Sequence, residues 1–108
     1  MIRRVELLPQ ARRQLYEAAW WWREHRSADQ AARWLAGMEL AIASLRSDAE
    51  RFPFAAEAAA VGVPLRQSLF GLSGRPTHRL VFEIEDDRVL IYAIRHLAQQ
   101  DLTPDDIP

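Results

Sequence analysis

The sequence of 108 residues contains no cysteine, which excludes disulfide bonds, thiolate metal sites and a cysteine nucleophile. It also contains no lysine, since all 14 basic residues are arginine, so no lysine serves as a base, a nucleophile or a Schiff-base former. No stretch is long and apolar enough to span a membrane, and the N-terminal segment lacks the apolar run of a signal peptide. We therefore expect a cytoplasmic protein.

The chain has no strong excess of charge either, because its formal net charge is −1. Proteins that bind the nucleic-acid backbone are usually clearly basic, so the overall charge argues against nucleic acid as a partner. It remains compatible with a local arginine patch. The length fits one domain, residues 1–108, and neither a repeat nor a linker divides it.

The first half of the chain predicts a strand and two helices. Residues 2–8 are apolar and stop at Pro9, which suits the first turn of a helix over residues 10–25. Ser27 precedes Gln30 by three, a capping pattern that begins a second helix reaching about Glu50. The apolar stripe of this helix is Ala31, Leu35, Met38, Ile42, Leu45 and Ala49. Trp34 and Leu40 lie off that stripe.

The second half predicts three strands. Residues 54–62 form a weak segment that we interpret as a loop with at most one helical turn. Strands are predicted over residues 63–70, 78–85 and 88–95, the last two joined by a tight turn at Asp86 and Asp87. The polar tail, residues 97–108, is expected to lie on the surface or fray.

These elements predict an α+β fold of order βααβββ, in which a helical hairpin packs on one face of a small, mainly antiparallel four-stranded sheet. No helix remains for the other sheet face. We therefore expect that face to be bare and to serve as a docking surface.

Six basic side chains are the candidate site. They lie on or near the last three strands and are Arg66, Arg75, His78, Arg79, Arg95 and His96. As a group on one face they would bind phosphate or carboxylate, with histidine as acid or base. Taken singly, each is more typical of a solvated arginine or of a histidine at a strand end, and a binding role gains equal weight only for the group.

Other chemistry has little support in the sequence. The three histidines lack the spacing of metal ligands, and no nucleotide-binding or hydrolase motif occurs, so neither a metal nor a cofactor is expected. The run Trp20 to Trp22 does not form one stacking platform, because consecutive helical residues point about 100° apart. Trp22 belongs to the apolar stripe, and an exposed tryptophan of this run would mark a protein contact.

In order and spacing, the chain resembles the RelE/ParE superfamily of toxins from type II toxin–antitoxin systems, often labelled plasmid stabilisation proteins. The matching segments are residues 5–9 with Ala11, 18–21, 45–53, 63–66, 78–82 and 89–96. The resemblance implies a RelE/ParE-like fold, a cognate antitoxin as partner, DNA gyrase or the ribosome as target, and a homodimer or a heterotetramer with the antitoxin.

The resemblance also implies roles for two residues. Arg79 matches the arginine with which RelE-like nucleases hold the scissile phosphate, and His96 lies near their C-terminal catalytic histidine. The chain lacks the lysines of that nuclease site and the arginine run that often follows it. We therefore expect a ParE-like toxin that inhibits gyrase by protein contact. The alternatives are a ribosome-dependent mRNA endonuclease and a non-toxic module that only binds its antitoxin.

Overall fold

The structure, a computed structural model, describes residues 1–108 as four strands and three helices. The strands are β1 (Arg4–Leu7), β2 (Arg66–Phe70), β3 (His78–Ile84) and β4 (Arg88–His96), and the helices are α1 (Pro9–His25), α2 (Ala28–Asp48) and α3 (Ala58–Val61). The sheet order is β1-β4-β3-β2, with β1 parallel to β4 and the other pairs antiparallel. The predicted α+β fold is confirmed. No helix has the length and apolar character required for a membrane crossing.

Local signals set the two long helices. Pro9 occupies the first turn of α1, where its missing N–H removes no hydrogen bond. The Ser27 hydroxyl accepts a hydrogen bond from the Gln30 N–H at 3.0 Å, and Asp29 places negative charge at the positive end of the helix dipole. The chain leaves α2 through a short 3₁₀ turn before Pro53. The two helices therefore form the expected hairpin.

The helical hairpin buries its apolar side on one sheet face. This first core includes Leu15, Met38, Leu45, Leu80, Phe82 and Ile91. Trp34 is fully buried in it, so its placement off the stripe of α2 is wrong. Trp34 follows Ala31 by three and precedes Met38 by four, and those spacings put it on the same helical face. Leu40 is 73% exposed, as predicted.

The other sheet face is covered, and the expectation of a bare docking surface is wrong. Segment 53–65 and the C-terminal tail fold back over it, forming a second core of Ala55, Leu65, Val81, Leu90, Tyr92, Ala93 and Leu102. Helix α3 supplies the single helical turn expected there. The tail packs on the sheet and does not fray. The residues that cover the sheet are Ala55, Ala58, Val61, Val63 and Leu65 of the first segment and Leu102 and Ile107 of the tail.

Both faces of β4 are apolar because each packs against one of the two cores, and a β-bulge in this strand shifts its side chains between them. Val81 pairs with Ala93 and Phe82 with Ile91, so Tyr92 is an extra residue. The extra residue breaks the alternation of side chains. Ile91 and Ile94 consequently face the helices, whereas Tyr92 and Ala93 both belong to the second core.

Replacement of Leu102 by alanine tests the second core. Leu102 is 3% exposed, so Leu102→Ala should lower the free energy of unfolding by about 3 kcal/mol in urea denaturation. The matched control is Leu40→Ala, which removes the same atoms from an exposed site and should change stability by less than about 0.5 kcal/mol. Equal effects of the two changes would mean that the tail does not pack on the sheet.

Candidate functional site

The register of β3 and β4 divides the predicted site residues between the two sheet faces. His78 lies directly opposite His96, and Arg79 lies opposite Arg95. Because neighbouring side chains along a strand point to opposite faces, the histidine pair and the arginine pair are separated by the sheet. The interpretation of these residues as one basic surface is therefore wrong.

Arg79 lies on the second face and is enclosed there. Its Nη1 and Nη2 atoms donate to the two carboxylate oxygens of Glu57 at 2.9 and 2.5 Å, and Nη1 also donates to Gln67 Oε1 at 3.0 Å. Asp101 accepts a longer contact of 3.5 Å. The Leu102 N–H donates to Glu57 Oε2 at 2.9 Å. The ion pair between Arg79 and Glu57 thus joins β3, the α3 segment and the tail.

The charge state of this pair follows from its hydrogen bonds. Burial raises the pKa of Glu57, but hydrogen bonds from Arg79 and from the Leu102 N–H outweigh burial and lower the pKa to about 2. The Glu57 carboxylate likewise raises the pKa of Arg79. Both groups are therefore charged across the physiological range, and the Arg79 guanidinium is occupied by the chain's own carboxylate.

The other three arginines do not join Arg79 in a common patch. Arg95 contacts Asp106 of the tail at 3.3 Å, with its side chain 15% exposed. Arg66 donates to the Phe52 and Glu50 carbonyl oxygens at 2.7 and 3.2 Å, which ties β2 to the end of α2. Arg75 is exposed in the loop before β3. Of the candidates, only Arg75 remains available as a free cation.

The histidine pair lies on the helical side of the sheet. The His78 and His96 rings are 5.1 Å apart between centroids, and the His78 ring also packs against Trp34 at 5.0 Å. Burial, together with the neighbouring His96, lowers the pKa of His78 to about 4, so this ring is neutral at pH 7. The Ala98 N–H donates to His96 Nδ1 at 3.0 Å.

A cleft of about 570 Å³ opens beside this pair, between α1 and the ends of β3 and β4. We call it the histidine cleft. Its lining includes His78, His96, Trp21, Trp22, Glu17 and Arg26. Trp22 also packs against the first core, as predicted, whereas Trp20 and Trp21 are 58% and 46% exposed.

Sequence reasoning missed Glu57 as the partner of Arg79. Glu57 is the only charged residue between Phe54 and Leu65, in a segment otherwise rich in alanine. A single carboxylate in such a segment is a signal for burial beside a cation. No comparable sequence pattern predicts that α1 and the two histidines line one cleft, because Trp22 and His96 are far apart in the chain.

Comparison with known protein families assigns the chain to one of them. The family model described as ParE toxin of type II toxin-antitoxin system, parDE, matches residues 5–101. The chain belongs to this family. No curated protein matches it in sequence.

Two solved structures share the fold of this ParE-family toxin. The chromosomal ParDE system from P. aeruginosa contains a chain with a TM-score of 0.70 at 12% identity, over 88% of this chain and 96% of that one. The RelBE2 toxin–antitoxin complex from Mycobacterium tuberculosis contains one with a TM-score of 0.56 at 23% identity, over 89% and 99%. At these identities the likeness establishes the fold.

The depressed pKa of Glu57 predicts a pH dependence of stability. A carboxyl with a lowered folded pKa contributes stability above its unfolded pKa and loses it as pH falls. Wild-type protein should therefore lose on the order of 3 kcal/mol from this group between about pH 4.5 and 2. Urea denaturation of wild type and Glu57→Gln, repeated over this range, should show the loss only in wild type.

The matched control is Glu24→Gln, which changes an exposed carboxylate at the end of α1 and should retain the wild-type slope. His78 affects the free energy of unfolding mostly at higher pH, because folding lowers its pKa from 6.5 to about 4. If the free energy of unfolding of Glu57→Gln fell with pH as steeply as that of wild type below pH 4, the assigned ion pair would be contradicted.

Proposed function

We propose that this ParE-family toxin acts by protein contact, with DNA gyrase as its target, and is neutralised by a cognate antitoxin. The observation that carries the proposal is the location of Arg79 and His96 on opposite faces of the sheet. A nuclease of the RelE type would need both groups at one phosphate. In this chain Arg79 is 6% exposed, and its guanidinium binds Glu57 where a nuclease would bind the substrate phosphate.

The charge of the toxin supports the same mode of action. A ribosome-dependent nuclease works within an anionic particle and gains affinity when arginine and lysine release counterions from phosphates. This chain has a formal net charge of −1, and most arginines of the sheet are engaged by carboxylates or carbonyl groups. Contact with a protein target requires no such cationic surface.

The outer face of α1 is the contact surface that we propose for the target. Tyr16 and Trp20 are one helical turn apart and are 51% and 58% exposed. Large exposed aromatic side chains are enriched among residues that dominate protein–protein binding. Both rings lie outside the first core, so a partner can bury them without disturbing the fold.

A groove beside β1 is the site that we propose for the antitoxin. This groove, called here the β1 groove, has a volume of about 760 Å³ and lies between β1 and the helical hairpin. Its lining includes Val5, Leu15 and Ile42. Of the four arginines that line it, Arg3 and Arg4 pair with carboxylates, and Arg12 and Arg46 remain as unpaired cations. An amphipathic segment with acidic residues complements both features.

The target is tested by measuring two activities of the same preparation. The purified toxin should stall supercoiling by DNA gyrase while mRNA in a translating extract stays intact. Trp20→Ala should weaken gyrase inhibition at least tenfold, as expected for an aromatic anchor. The matched control is Phe54→Ala, which removes an aromatic ring that is also 58% exposed but lies on another surface.

The two alternative functions give different results in this assay. Cleavage of mRNA that is lost in His96→Gln would establish the nuclease, and His96 suits this test because its exposed ring can be changed with little risk to the fold. A toxin that affects neither activity and is harmless when expressed alone would be the module that only binds its antitoxin.

Reversal of a charge at the β1 groove tests the antitoxin site. Arg46→Glu should weaken binding of the cognate antitoxin about tenfold at low ionic strength, and less at high salt, where rim charges are screened. Titration calorimetry with the product of the adjacent reading frame measures the change. Arg33→Glu, on the same helix but outside the groove, is the control. Equal affinities of the two variants would place the antitoxin elsewhere.

A further inference from the structure

The histidine cleft has the dimensions and enclosure of a small-molecule site. Its volume of about 570 Å³ falls within the range of ligand pockets in proteins. It lies on the helical side of the sheet, opposite the Arg79–Glu57 pair, and shares no lining residue with the β1 groove. The proposed contacts with gyrase and antitoxin therefore leave it without a function.

Two buried polar groups of the cleft are left without partners. Trp22 lines the cleft, and its indole N–H is shielded from solvent yet makes no hydrogen bond. Such an unpaired buried donor is uncommon in a folded protein. The ring of His78 is 93% buried, and its Nδ1 lies 2.8 Å from Thr77 Oγ1. The Thr77 hydroxyl donates to the Phe70 carbonyl oxygen, so Nδ1 is the donor in this contact and Nε2 is an unpaired acceptor.

The backbone N–H groups of Ile94, His96 and Ala98 orient three further donors. The Ile94 N–H donates to Gln14 Oε1 at 2.9 Å, and the His96 N–H donates to Gln99 Oε1 at 2.7 Å. Both side-chain amides are thereby held with their NH₂ groups unpaired. The hydrogen bond from Ala98 to His96 Nδ1 places the proton of the neutral ring on Nε2. Secondary contacts of this kind fix donors before a ligand arrives.

Acceptors in the cleft are few. Glu17 is the only carboxylate in the lining, and it lies 3.7 Å from Arg13 Nε. Arg26 adds a full positive charge at the rim, with its guanidinium carbon 5.9 Å from the centroid of the Trp21 ring. The lining therefore offers several N–H groups and a cation to a ligand that must bring the acceptors, which is the chemistry of an oxyanion.

Aromatic rings form the remaining walls. Trp21 and Trp22 meet edge to face at 5.7 Å, and the two histidine rings meet at 78°. Flat side chains in this arrangement pack well against a flat ligand, since ring pairs favour offset and edge-to-face contacts. A ligand that is spherical, such as a bare inorganic anion, would leave these walls without contact.

We propose that the histidine cleft binds a small ligand that carries an oxyanion on a planar ring. Arg26, the Trp22 N–H and His96 Nε2 receive the oxyanion, and Trp21 with the histidine rings packs against the ring. Two sources have this chemistry, a nucleoside monophosphate and an aromatic carboxylic acid. The inference does not depend on the target of the toxin.

The test is a titration of the full-length protein followed by nuclear magnetic resonance of the tryptophan indole N–H groups. Adenosine monophosphate, benzoate and inorganic phosphate are the three probes. We expect one of the two ring-bearing probes to shift the Trp22 signal saturably, and phosphate alone to bind at least tenfold more weakly. Saturation by adenosine monophosphate identifies the nucleotide source, and saturation by benzoate identifies the carboxylic acid.

Variants separate binding in the cleft from binding elsewhere. Arg26→Gln and His96→Ala should each weaken the bound probe at least tenfold, with the wild-type fold retained because both residues are exposed. Arg23→Gln, which changes an arginine in the last turn of α1 that does not line the cleft, should bind as wild type does. Absence of saturation by both ring-bearing probes, or equal affinity in Arg26→Gln and Arg23→Gln, would overturn the proposal.

Discussion

The ion pair between Arg79 and Glu57 is the interaction that holds the α3 segment and the tail over the second sheet face, and the rest of the structure depends on it. An ion pair in an apolar interior loses much of its hydration, so it persists only where hydrogen bonds replace the lost water. Here the guanidinium contacts Glu57, Gln67 and Asp101, and the Leu102 N–H completes the Glu57 carboxylate. Removal of one partner would leave an uncompensated buried charge, at a cost of about 3–5 kcal/mol.

Closure of the second face changes what the basic residues of the sheet can do. An arginine on an open sheet would be free to bind a phosphate, whereas Arg79 under the tail holds segments of its own chain together. The adjacent residue His78 projects into the opposite face and contributes to the histidine cleft. Two neighbouring positions of one strand thus belong to two unconnected environments, one structural and one open to a ligand.

Local chemistry made the element order predictable from sequence. The proline of α1, the serine cap of α2 and the alternation in β3 each act within a few residues, and all appear where they were expected. The cover of the second face was not predictable in the same way. Leu102 and Glu57 lie 45 residues apart and meet only once the sheet exists, and Leu102 stands in a tail whose composition is that of an exposed segment.

The predicted site failed for a different reason. His78 and Arg79 are neighbours on β3, as Arg95 and His96 are on β4, and ordinary alternation sends the two members of each pair to opposite faces. The bulge at Tyr92 then decides which face each residue after it shares with the earlier part of β4. The position of the bulge depends on how β3 and β4 pair, which no local pattern records.

The parallel pairing of β1 with β4 has a consequence for synthesis of the protein. β1 leaves the ribosome well before β4, which is its only partner in the sheet, since Arg4 pairs with Arg88 more than 80 residues later. Contacts of such long sequence separation form late, because the intervening chain must first be ordered. A nascent chain that has not reached β4 therefore lacks an inner strand of its sheet, and only a product that includes β4 can adopt this fold.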